Sequence, residues 1–263
     1  MHELSLFAQV PAARHAQALN ILAGLAAMQP SAIFTRHIVF QPHKAATDPS
    51  QISKKKASGP QQPQQLALIQ LMTTLSRDDF GRDDDHCEGN PADTAMGGTE
   101  TTDRQPSGTN ESQWSTRIQE IPEPETKTIV LRKVIEESIP AQGIKQYLDD
   151  SKNIKFINEY FTEGHRFIRG DIILHLHRVL VAKPQPDTNA PRTTLPPLEE
   201  LILLDGSGAF VLETTVRIED RSKPTLVSAA TEQLLALKNE LKGSIDLRVP
   251  ERLSMDTRVR DTQ

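Results

Sequence analysis

The stretch Glu159 to Val181, EYFTEGHRFIRGDIILHLHRVLV, limits the fold more than any other. It reads as two antiparallel strands. Arg169-Gly170-Asp171 supplies the turn between them, and within it only the glycine has free access to positive φ. Gly164 interrupts the first strand where a bulge or sharp bend is tolerated. From Ile172 onward, Ile172, Leu174, Leu176 and Leu180 point one way, while Ile173, His175, His177, Val179 and Val181 point the other. A strand apolar on one face and mostly apolar on the second belongs in a closed or two-layered sheet, not at an exposed edge.

The flanks supply partners for that hairpin. Glu3 to Val10 alternates with Leu4, Leu6, Ala8 and Val10 on one side. Pro11 then opens an alanine-rich helix striped by Leu19, Leu22, Leu25 and Met28 and ended by Gln29-Pro30. Ile33 to Phe40 follows as a strand, with Phe34, Ile38 and Phe40 on one face and Ile33 and Val39 on the other. Leu66 to Leu75 is compatible with either a strand or a short helix. Ser115 to Ile121 and Thr128 to Ile135 form strands on either side of Pro122 to Lys127, a connection whose prolines exclude it from a central strand, and Glu136 to Ile139 ends the pair. A short helix is expected at Ile144 to Leu148, and Ile154 to Phe161 leads into the hairpin. Leu198 to Leu204 and Ala209 to Ile218 read as another hairpin across Asp205-Gly206-Ser207-Gly208. The longest helix has Pro224 in its first turn, a stripe of Leu226, Ala230, Leu234, Leu237 and Leu241, and Gly243 as its left-handed terminator. A last strand, Ile245 to Val249, precedes a polar tail. These elements describe an α+β fold: an antiparallel β-barrel-like sheet with two main helices packed against it.

Composition sets the boundaries. The expectation is a single barrel domain over 1–249, interrupted by disordered insertions at 41–65, 76–112 and 184–197, with a polar C-terminal tail at 250–263. The insertions at 41–65 and 76–112 supply little apolar surface and are expected to be dispensable for folding. Residues 76 to 112 hold ten acidic and three basic side chains, a net charge of −7, so the remainder of a chain whose total is −5 sums to +2. Near-neutrality argues against a dedicated nucleic-acid binder. The acidic tract does not interleave acids with aromatics and leucines as activation domains do, and reads as a solvated insertion. The lysines at 54 to 56 are too few for a specific nuclear localisation signal. Cys87 is the only cysteine, which excludes an internal disulfide, and the acids around it raise rather than lower its thiol pKa. No apolar run reaches the ~18 to 20 residues of a membrane span, and no signal-peptide pattern opens the chain, so a soluble, unsecreted protein is expected.

The N-terminal ELSLFAQVP with its helix, the IFTRHIVF strand, the WSTRIQEIPEPETKTIVLRKV hairpin and above all FTEGHRFIRGDIILHLHRVL resemble subunit eighteen of the Mediator complex in its filamentous-fungal form. The resemblance covers nearly the whole ordered chain, and the acidic insertion at 76–112 departs from the human counterpart. It implies a β-barrel of the Mediator head module, without enzymatic activity, that pairs with a similar barrel, subunit twenty, and holds a C-terminal helix of subunit eight. Through the assembled complex, such a protein links gene-specific regulators to RNA polymerase II in the nucleus. The resemblance implies no cofactor, no metal, no direct nucleic acid and no membrane, and identifies no partner-binding residues.

An enzyme reading competes with this one. Glu123-x-Glu125-x-Lys127 fits the acid, acid, lysine alternation of triphosphate tunnel metalloenzymes, whose barrels put such side chains on one face of a strand to hold a cation and phosphates. Here Pro122 and Pro124 place the pattern in a turn. Glu213, Thr215, Arg217 and Glu219 form a second alternating polar set able to line a barrel. His175 and His177 share a strand face and have the spacing of a metal pair, but no nearby cysteine or carboxylate partner is predicted. His165 with Asp171 makes no recognisable triad. Arg169-Gly170-Asp171 spells an integrin-binding tripeptide but is read as a turn.

Overall fold

The computed structural model describes residues 1–42, 66–81, 114–124, 126–140, 154–184 and 190–259. The lysines at 54–56, the acidic tract beyond Gly81 with Cys87, Glu125, the helix expected at 144–148 and residues 260–263 lie outside these. The elements are β1 (His2–Val10), α1 (His15–Ala26), β2 (Ser31–Pro42), β3 (Ile69–Leu75), β4 (Trp114–Gln119), β5 (Val130–Ile139), β6 (Ile154–Arg169), β7 (Ile172–Val181), β8 (Ile202–Leu203), β9 (Phe210–Ile218) and α2 (Pro224–Leu241). Strands run in the order β6-β2-β3-β4-β5-β1-β9-β7, all antiparallel, and the β6–β7 hairpin closes the ring into an eight-stranded barrel. β8 adds a short flank to β7.

Alternation sorts the barrel wall into two chemistries. Leu4, Leu6, Ala8 and Val10 of β1, Ile129 before β5 and its Leu131, Leu174 and Leu176 of β7, and Leu212 and Val216 of β9 face outward. There they meet Ala18 and Leu22 of α1 and Ala230, Leu234, Leu237 and Leu241 of α2. The main hydrophobic core therefore lies between the wall and the helices, and the lumen is lined mainly by polar side chains, with Phe7, Ile33, Met72, Ile173 and Val179 interspersed among them. Two smaller clusters cover other outward surfaces, Ile38, Phe40 and Leu71 in one and Phe161, Leu180 and Leu195 in the other.

The closing hairpin turns at Gly170-Asp171, with Arg169 opposite Ile172 and Gly170 at φ 57°. Gly164 is not a bulge. It stays in register between Ile33 and His177, and a Cβ there would meet the Leu176 carbonyl and lie 2.7 Å from His177 Cα. Its role is close strand approach. The bulge falls instead at Ile157, skipped where the register passes from Val39–Asn158 to Phe40–Phe156.

Other expectations also move. Leu66 to Leu75 resolves as strand β3, because β2 and β4 both pair with it. β5 does not end at Ile135 but runs to Ile139, pairing Glu136 with Arg117 and Ile139 with Trp114. α1 stops before Gln29-Pro30, at Ala27, a non-glycine residue in the left-handed region at φ 52°. Leu226 of the α2 stripe is exposed. The 202–203 strand does not form a hairpin with β9, since both edges of β9 are taken by β1 and β7; it pairs with β7 instead.

Parts of the spans expected to be insertions are seated on the barrel. Ser76 caps a short 3-10 turn over Arg77–Asp79. Phe80 then packs edge-on to Phe34, with centroids 5.5 Å apart, and against Phe161. Leu195 is buried in the same cluster and accepts from Gly81 N–H. A deletion meant to spare the fold must start after Gly81.

Gly164→Ala is expected to destabilise the protein by about 1–3 kcal/mol through overpacking. Gly24→Ala, inside α1 with nothing within 4 Å of the added carbon, is expected to stabilise it by about 0.5–1 kcal/mol. Urea unfolding of the two variants checks the opposite signs.

Candidate functional site

The candidate site is the barrel lumen, a cavity of about 540 Å³. It is built from the inward positions of all eight barrel strands, among them Glu3 of β1, Thr35 and His37 of β2, Gln70 and Met72 of β3, Arg117 of β4, Arg132 and Glu136 of β5, Tyr160, Thr162 and Arg166 of β6, His175 and His177 of β7, and Glu213, Thr215 and Arg217 of β9.

Glu3 stands at its centre. Its carboxylate is only 1% exposed and sits between Arg132 and Arg217, its direct cross-strand neighbours on either side. Arg117 Nη2 donates to Glu3 Oε2 at 2.6 Å, Arg217 Nε lies 3.2 Å from Oε1, and Arg132 Nη2 lies 3.8 Å from Oε2. The same arginines reach outward. Arg117 and Arg217 each lie 3.3 Å from Glu136, and Arg132 lies 3.5 Å from Glu213. Burial lowers the Arg132 pKa, while Glu213 and Glu3 act to keep it charged. All three lumen glutamates are thus committed to guanidinium groups. Among the described residues, no group of three His, Cys, Asp or Glu side chains is placed to hold a metal ion.

The histidines form a second layer. His175 and His177 stack at 4.3 Å. His37 stacks on Tyr160 at 4.5 Å, and its Nε2 lies 3.2 Å from Thr162 Oγ1. Burial first, then neighbouring positive charge beginning with His177, pushes both His37 and His175 down to about 3, and burial also lowers His177. At neutral pH all three rings are uncharged.

The residues singled out in the sequence divide between lumen and surface. Glu213, Thr215, Arg217, His175 and His177 come together in the lumen, whereas Glu219 is exposed past the end of β9. The acid, acid, lysine pattern does not assemble there. Glu123 lies in the β4–β5 connection and pairs with Arg221, and Lys127 is exposed. His165 faces outward beside His15, with ring centroids 5.6 Å apart. The Arg-Gly-Asp turn is tied to α2, Arg169 to Glu240 and Asp171 to Gln233. Glu3, Arg117 and Arg132 were not singled out. The available signal for Glu3 was its odd position on β1, opposite the face of Leu4, Leu6, Ala8 and Val10.

A family model described as Med18 protein matches residues 2–258. The chain is 33% identical over 278 residues to a Coccidioides immitis protein named Mediator of RNA polymerase II transcription subunit 18, covering 99% of this chain and 100% of that one. An Aspergillus oryzae protein of the same name is 30% identical over 276 residues, with the same coverage. Among solved structures, a chain of the Schizosaccharomyces pombe Mediator head module matches with a TM-score of 0.61 at 17% identity, covering 98% of this chain and 100% of that chain, a likeness of fold.

The neutral histidines set a pH dependence. A folded pKa of about 3 against an ordinary value of 6.5 means that the unfolded chain binds protons the folded one refuses. Their contribution to stability is full above pH 6.5 and is lost as pH falls toward 3. His175→Gln is expected to flatten the fall in unfolding free energy between pH 6 and 4 by about 1 kcal/mol per pH unit relative to wild type. Urea titrations at several pH values check this, and parallel profiles would contradict it.

Proposed function

The chain belongs to the Med18 protein family, and from that premise we propose that it works in the head module of the Mediator coactivator, as a non-catalytic subunit that links gene-specific regulators to RNA polymerase II. The observation that carries this reading is the match over residues 2–258, in which strands, helices and lumen are all included. Its partners, on this reading, are the barrel of subunit twenty and a helix of subunit eight, and its place of action is the nucleus. Among the described residues, two main helices cap the outward core, and docking of a partner's helix or strand on the remaining wall is the mode this reading calls for.

Hydrolysis of triphosphates fits the geometry less well. The acid, acid, lysine pattern stands outside the lumen, with Glu123 paired to Arg221, and the lumen carboxylates are already held by arginines. Purified chain with manganese and a nucleoside triphosphate is expected to release no phosphate above a heat-killed control. Release abolished by Glu213→Gln would overturn the non-catalytic reading. A tagged chain expressed in fungal cells is expected to recover Mediator subunits and RNA polymerase II from nuclear extract, and co-expression with subunits twenty and eight is expected to raise its soluble yield. Recovery of neither assembly would remove the support for the reading.

A further inference from the structure

Residues 250–259 were expected to be a polar tail, yet they follow a defined path across the barrel end that carries the β4–β5 connection. Just before them, Ile245 and Leu247 are buried in the main core, and Arg248 exchanges backbone hydrogen bonds with Phe7 on the edge of β1 that β5 leaves uncovered. Arg252 Nε then donates to Pro122 O, and Thr257 Oγ1 donates to Gln119 O. Leu68 N–H donates to Thr257 O at 2.9 Å and Val259 N–H to Leu66 O at 2.7 Å, placing Ala67 antiparallel to Arg258. Met255, between these anchors, forms part of the lumen wall.

This strap covers a sheet edge. β3 pairs with β4 only from Ile69 opposite Ile118, so Leu66–Leu68 extends beyond β4 with its main-chain groups unpaired unless something lies beside it. Such an edge invites strand addition. The strap occupies it with little apolar burial, and the Asp256 side chain, 5% exposed, is paired with Arg258 within the strap. No residue from 250 to 259 is fully buried, and Leu253 is 57% exposed. Hydrogen bonds, not apolar packing, hold it in place, and bonds of this kind contribute little each once water is counted as the competitor.

We propose that the Leu66–Leu68 edge is a strand-addition seat for an extended segment of a partner protein, kept filled in cis by residues 250–259 until that segment replaces them. The proposal rests on the reading of this chain as an interaction subunit and assigns one of its surfaces. The cis occupant defines what fits: main chain able to bridge Ala67, a hydroxyl donor for Gln119 O, a basic side chain for Pro122 O, and between them an unbranched apolar side chain for the lumen mouth. Main-chain pairing supplies affinity in this mode and the spaced side chains supply selectivity. Because the strap is tethered, it competes at an effective concentration in the mM range, and a free segment gains access only as the strap lets go.

The probe is a fluorescent peptide with the sequence of residues 250–259, added to the purified full-length chain and to full-length Thr257→Val and Val259→Pro, each of which removes one strap hydrogen bond. Anisotropy is expected to show binding to the variants about fivefold tighter than to wild type, as loss of one strap hydrogen bond allows, and weaker binding to both variants by a peptide with Arg252→Ala and Thr257→Val. Hydrogen exchange at the Leu68 amide is expected to be slow in wild type, fast in the variants, and slow again when peptide is added. Equal affinities for wild type and variants, or a Leu68 amide that stays protected in both variants, would overturn the proposal, as would variants that exchange straps into dimers by light scattering. Should Val259→Pro fail to fold, Thr257→Val carries the comparison alone. The assay contains only chain and peptide, so its failure would leave membership in Mediator untouched.

Discussion

The carboxylate of Glu3 is the point on which the barrel closes. It is buried on β1 and met by guanidinium groups from β4, β5 and β9, the nearest being Arg117 at 2.6 Å. A buried carboxylate without partners is strongly unfavourable, and so are three arginines facing one another without it. The network is weak evidence for net stability, since desolvation offsets much of the attraction, but it is strong evidence for register. Sliding β1 by one residue would send Glu3 into the outward core and bring Leu4 into the lumen beside the arginines. Only one alignment satisfies both faces.

From that alignment comes the inverted plan of the molecule. Small barrels commonly fill their interiors with apolar side chains. Here the lumen holds ion pairs and neutral histidines, and the apolar faces turn outward to meet α1 and α2. The same outward plan explains why short ordered pieces lie against the wall. Arg36 and Glu159 form a buried pair at 2.7 Å on the outer surface, and Glu159 accepts from Arg192 N–H, fastening the segment before β8.

Much of the fold was legible because it rests on local rules. Alternation in β1, β7 and β9, the glycine turn at 170, Pro224 at the start of α2 and Gly243 after its end all follow from neighbours in sequence. What escaped was decided at long range. Gly164 looks like a break until β7 is placed against it, and the true bulge at Ile157 carries no glycine or proline to mark it. Ala27 ends α1 in a conformation that alanine seldom adopts. Part of the lumen was visible in Glu213, Thr215, Arg217, His175 and His177. The rest was not, because Glu3 and Arg117 are 114 residues apart and acquire meaning only when the ring closes. The strap was hidden by composition, since polar residues held by main-chain bonds read as tail.

The most direct test of the account is a double-mutant cycle between Glu3 and Arg117 by urea unfolding, using Glu3→Gln, Arg117→Met and the pair together. The account predicts that each single change costs about 1–3 kcal/mol, since the remaining arginines or glutamates compensate only part of the buried charge. It also predicts that the double variant recovers more than about 1 kcal/mol of their sum. Two small, additive effects of under about 0.5 kcal/mol each would contradict it, and would mean that the barrel closes without its central charge.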